Sequence, residues 1–180
     1  MAVNKDIINK INDFISNNKQ FFEEAPIKIY SLIESQQINI KEHTFDDDIT
    51  GVLIIDKEND KATIGINPIK NNYVPRKNFT LAHELGHFVL HNDLSNTFVD
   101  KIFFRKKSEG YTTKEEKIEK EANHFAASIL MPDFLIKKEI QSINHGFLLD
   151  DDEKTIQDLA DKFSVSKPAM LYRLINLGII

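Results

Sequence analysis

The stretch KNFTLAHELGHFVLH, residues 77–91, sets two histidines and a glutamate into an otherwise apolar run. Leu81, Ala82, Leu85, Phe88, Val89 and Leu90 give it the composition of a buried helix. On a helix, positions i and i+4 share a face, so the imidazoles of His83 and His87 converge on one point. Glu84 projects about 100° away from His83 around the axis, within reach of a water bound at that point. Two imidazoles and a carboxylate at this spacing suit a zinc ion. Zinc draws the pKa of its bound water down toward ~7, and the glutamate takes the proton. The pattern His-Glu-x-x-His arises by chance in about one chain of this length in a hundred, so its weight comes from the apolar context. A solvent-facing helix with incidental histidines would need three costly polar groups on a core-like segment.

A catalytic zinc takes a third protein ligand and keeps a fourth position open. Asp93 stands six residues after His87, where the metzincin pattern places its third ligand, but that geometry needs a glycine at the position of Leu90. His91 shares the histidine face, yet lies two turns from His83. It suits the wall of the site or the helix C-terminus, where a histidine is favourable. The second source is EEKIEKEANHFAASILMP at 115–132, expected as a helix over 113–131 that stops at Pro132. Glu119, Ala122, Asn123, Ala126 and Leu130 fall on one stripe of small and apolar residues, which lets that helix approach closely and Glu119 complete a gluzincin-like ligand set. Asn123, one turn on, is placed to accept the outer N–H of a ligand histidine. Glu121 is the rival, on a stripe with His124 and Ser128 that reads as more exposed. Two imidazoles and a carboxylate fit zinc best, and manganese, iron or cobalt also suit them.

Outward from these helices, Ile7, Ile8, Ile11, Phe14 and Ile15 recur at helical spacing, and a second helix is expected over about 23–36. Three β-like segments follow at 38–43, 50–56 and 62–67. The acidic turn at 46–48 and the turn at 58–60 separate them, which predicts an antiparallel three-stranded meander. Residues 93–112 show no clean period and read as a long binding or lid loop. Short helices are expected at 133–143, 155–163 and 167–176. The fold class is α+β: a small antiparallel three-stranded sheet on a zincin-like helical core, with a C-terminal helix-turn-helix-like pair. A single domain over 1–180 is expected, with N-terminal helices at 1–36, the sheet at 37–67, metal-binding helices at 76–131 and C-terminal helices at 133–180.

In the last segment, TIQDLADKFSVSKPAMLYRLINLG at 155–178, Leu159, Ala160 and Phe163 should pack inward, Val165 fill the turn and Ser166 cap the next helix. Ala169, Leu171, Leu174 and Leu177 supply the second apolar face. Only Lys167, Arg173 and Asn176 suit DNA reading, and the net charge of the chain is −5. A structural pair is therefore favoured over direct DNA binding. The chain has no cysteine, no continuous apolar N-terminal region and no run long enough to span a bilayer, which makes the cytoplasm the default location and a membrane partner unexpected.

FTLAHELGHFVLH at 79–91, EKEANHFAASILMP at 119–132 and LADKFSVSKPAMLYRLINLG at 159–178 together resemble the ImmA/IrrE metallopeptidases of bacteria and their mobile elements. The likeness covers about 50–180. It implies His83, His87 and Glu119 as metal ligands and Glu84 as catalytic base, in agreement with the helical-face reading. It also implies a substrate class, helix-turn-helix transcriptional repressors cut to release a stress or excision response. A substrate strand would add to a sheet edge, with ATIGIN at 62–67 the expected one, and Tyr111, His124 and Arg76 are the candidate oxyanion donors. The alternative is a metal-stabilised module that controls a repressor or toxin by contact without cutting it.

Overall fold

A computed structural model describes residues 4–45, 48–101, 113–142 and 153–180. Asp46, Asp47, Tyr111 and the 102–112 part of the expected long loop lie outside the described residues. The chain order is α1 (Lys5–Asn17), α2 (Ile29–Ser35), β1 (Ile38–Glu42), β2 (Ile49–Asp56), β3 (Lys61–Ile66), α3 (Val74–His91), β4 (Thr97–Lys101), α4 (Thr113–Leu130), α5 (Asp133–Ser142), α6 (Glu153–Lys162) and α7 (Lys167–Asn176). The class is α+β, as the sequence implied.

The N-terminal helix forms on its i, i+4, i+7 stripe, burying Ile7, Ile11 and Phe14, and Asn4 accepts the Asp6 N–H at its start. The second helix is shorter than expected. Pro26 keeps Ala25 out of helical backbone and removes a donor, so α2 begins only at Ile29.

The sheet departs from the expected meander. It has four strands in the order β1-β3-β2-β4, and it is mixed. The strands β2 and β3 do form the antiparallel hairpin, with Asp56 opposite Lys61, and the Asp56 carboxylate accepts the Asn59 backbone and side-chain N–H groups in its turn. But β1 lies parallel to β3, Ile38 opposite Ala62 and Ile40 opposite Ile64, rather than antiparallel to β2. Alternation fixes which face of a strand is buried, not which neighbour it takes. The β1–β2 connection is long enough to leave that choice to the packing of α2 against β1. The fourth strand, β4, comes from the segment expected as an irregular loop and pairs antiparallel with β2. Its β-signal, Thr97-Phe98-Val99, is too short to register as a period.

Two features hold the sheet to α3. A bulge in β2 between Ile49 and Gly51 breaks the β4 register. Asn71 donates to the carbonyls of Thr50 and Asn67, each at 2.8 Å, and its Oδ1 accepts from Thr80 Oγ at 2.8 Å. This buried network clamps the β3–α3 connection and the first half of α3 to the bulge.

Pro75 sits in the first turn of α3, where its missing N–H costs nothing. Helices α3 and α4 touch at Gly86. A Cβ there would stand 3.1 Å from Phe125 Cδ1 and 3.2 Å from the Ala122 carbonyl, so the glycine sets the closeness of the pair. One buried cluster runs from Ile7, Ile11 and Phe14 of α1 to Met170 and Leu174 of α7.

The C-terminal pair follows its predicted bounds closely. Leu159, Ala160, Phe163 and Val165 are buried, and Ser166 Oγ accepts from Ala169 N at 3.3 Å. The inner face of α7 is rotated from the expected one: Met170, Arg173 and Leu174 are buried while Leu171 is exposed. No helix among the described residues is long and apolar enough to cross a membrane.

Candidate metal centre

The inward face of α3 carries buried polar groups. His83, Glu84, His87 and His91 are each 3% exposed or less, in a helix whose neighbours Leu81, Ala82 and Leu85 are fully buried. His83 and His87, one turn apart, bring their Nε2 atoms within 2.9 Å of each other. The Glu119 carboxylate reaches over from α4. Its Oε2 lies 3.2 Å from His83 Nε2 and its Oε1 3.3 Å from His87 Nε2. Among the described residues these three form the one group of side chains able to hold a metal, with ligand atoms all within 4.8 Å of one another.

Burial alone would raise the Glu119 pKa, but hydrogen bonds and charge interactions with the two histidines outweigh it and hold the carboxyl at about 2. Burial pushes the His87 pKa below its ordinary value, against the pull of Glu119. An ionised carboxylate beside a neutral imidazole is the protonation state a divalent cation needs.

The remaining predicted residues surround this cluster. Asn123 Oδ1 lies 3.2 Å from His83 Nδ1, the nitrogen pointing away from Glu119. Glu84 is fully buried on the sheet side of α3, against Gly51 of β2, where an added Cβ would stand 2.7 Å from Glu84 Oε1. No sequence signal announces that contact, because Gly51 reads as an ordinary strand residue. Phe98 of β4 stacks flat on the His87 ring, centroids 4.6 Å apart at 15°. Asp93 is exposed and belongs to no cluster with the histidines.

Glu121 reverses its expected exposure. Its side chain is 12% exposed against 24% for Glu119. It does not join the cluster, however: Glu121 Oε2 lies 3.0 Å from His91 Nε2, and His91 Nδ1 lies 3.4 Å from His87 Nδ1. His91 therefore links the outer nitrogen of His87 to a carboxylate on α4. Its expected place on the wall of the site becomes a specific contact.

With this geometry in view, residues 23–175 match the family described as the IrrE N-terminal-like domain, a peptidase family. The chain belongs to that family. The match extends further toward the N-terminus than the three resembling motifs. Metallopeptidase ImmA of Bacillus subtilis (strain 168) is 28% identical over 150 residues, which is 83% of this chain and 76% of the relative. A solved structure described as a Mycobacterium tuberculosis transcriptional regulator is 14% identical, with a TM-score of 0.49 over 92% of this chain. The chain spans about half of that structure's length, 51%.

Proposed function

We propose that this chain is a cytoplasmic zinc-dependent endopeptidase, one metallopeptidase domain over 1–180, that cuts a helix-turn-helix transcriptional repressor or a related regulatory protein. The observation that carries the reading is the Glu119 carboxylate of α4 spanning the two Nε2 atoms of α3. The residues fit a small divalent ion. Bonds of about 2.1 Å in a tetrahedron put neighbouring ligand atoms about 3.4 Å apart, and the three separations here are 2.9, 3.2 and 3.3 Å.

His83, His87 and Glu119 would hold the zinc, whose bound form supplies an acidified water and a Lewis acid for the peptide carbonyl. With both Nε2 lone pairs turned to the ion, the imidazole protons sit on Nδ1. His83 Nδ1–H then donates to Asn123, and His87 Nδ1–H to His91, whose Nε2–H donates to Glu121. These chains fix both tautomers. Glu84 acts as the base: its burial keeps the carboxylate dry, and the β2 bulge with Gly51 holds it in place. The substrate strand has a different partner from the expected one. β3 lies between β1 and β2 and offers no edge, whereas β4 is an edge strand among the described residues and carries Phe98 against His87. The C-terminal pair serves as structure, with Arg173 turned inward away from any DNA.

Co-expression with a helix-turn-helix repressor encoded beside this chain provides the test. The repressor should be cut in cells holding the native protein and stay whole with Glu84→Gln or after chelation. Repressor control that persists with Glu84→Gln and an uncut partner would favour the contact-only regulator.

A further inference from the structure

A cavity of about 740 Å³ opens between the first half of α3, the second half of α4 and α7. It adjoins the metal cluster through Asn123, which lines the cavity and meets His83. Phe79, Met131 and Ala169 supply apolar wall. The charge in the lining has one sign: Arg76 and Arg173 are present, and neither Asp nor Glu contributes.

Arg173 is only 9% exposed and spends its Nε on the Met131 carbonyl at 3.0 Å. Arg76 buries its Nε with no hydrogen-bond partner among the described residues. No ion pair to either guanidinium occurs among the described residues; Asp133, whose field reaches Arg173, pairs instead with Lys137 at 3.0 Å. A buried guanidinium on Arg173 and a shielded, unbonded Nε on Arg76 cost stability, and apolar side chains would fill the same space more cheaply. A fork of N–H donors on a cavity wall is the arrangement that recognises a carboxylate in a bidentate manner.

Resting on the peptidase reading, we propose that this cavity is a substrate pocket beside the scissile bond that admits a carboxylate on a short aliphatic stem. The carboxylate belongs either to a glutamate side chain or to the C-terminus of the substrate. The stem lies along Phe79 and Met131, and the anion completes Arg76 and Arg173.

The test uses mixtures of fluorescein-labelled decapeptides with one position fixed as Glu, Gln or Lys, each with a free or an amidated C-terminus. Anisotropy measures their binding to the full-length zinc-loaded Glu84→Gln protein, and the native protein is assayed for cleavage in parallel. One charge-assisted pairing predicts about a tenfold preference for Glu over Gln at one position, or for the free over the amidated terminus. Which of the two appears identifies the source. Arg76→Gln should bring that ratio toward one, and Arg76→Glu should turn it toward Lys, both with an unchanged circular dichroism spectrum. Equal binding of the Glu, Gln and Lys mixtures at every position and of both termini would overturn the pocket, as would a preference that survives Arg76→Gln. Carboxylate binding without cleavage of any mixture would keep the pocket and count against the peptidase reading; cleavage without preference would do the reverse.

Discussion

The two ends of α3 face polar groups of opposite kinds. Around His83 and His87, each buried nitrogen has an acceptor or a carboxylate within 3.4 Å. Around Arg76 and Arg173, two cations face a cavity whose lining has no acid. The first end is a group of three side chains that could hold an ion at its centre. The second is unfinished until an anion enters. On the proposed reading, the partners in place separate a group that binds permanently from one that binds in passing.

Perturbations should divide along this line. The largest effect is expected from Glu84→Gln, which would remove the proposed base without removing a proposed ligand. Cleavage should fall about 10²- to 10⁴-fold, with metal content by mass spectrometry unchanged. A smaller loss is expected from His91→Phe, which cuts the link from His87 to Glu121. Metal affinity in a chelator competition should drop about 10- to 100-fold; an unchanged affinity would reduce His91 to packing.

Gly51→Ala should act on stability and site together. Its Cβ would meet Glu84 Oε1 and Thr80 Cγ2, both at 2.7 Å, and such overpacking costs about 1–3 kcal/mol in a urea titration. The smallest change is at the unfinished end. Arg76→Met exchanges a half-buried cation, unpaired among the described residues, for an apolar side chain of similar length, and the same titration should show no loss or a gain of up to about 1 kcal/mol. A loss well above that would mean that Arg76 holds the fold.

The sequence was most legible where one helix carries its own chemistry. The i, i+4 spacing of His83 and His87 dictates their meeting, and a small-residue stripe on α4 was enough to bring Glu119 to them. Strand neighbours were not legible, because Ile38 can face the core beside either β2 or β3. Nor was β4, which draws its stability from pairing with β2 and from the Phe98–His87 stack rather than from its own pattern. Arg173 misled for a related reason. A charged residue on an amphipathic helix is assigned to solvent by default, and only the tertiary contact with the Met131 carbonyl shows it turned inward. Glu121 repeats the lesson, since its partner His91 lies thirty positions away on another helix.

Metal stoichiometry of purified protein, read by inductively coupled plasma mass spectrometry after dialysis against zinc, tests the central arrangement most directly. One ion per chain is expected for the native protein and for Glu84→Gln, and essentially none for His83→Ala, His87→Ala or Glu119→Ala. Full retention in Glu119→Ala would contradict the account, because the ion would then be held without the carboxylate that joins the two helices.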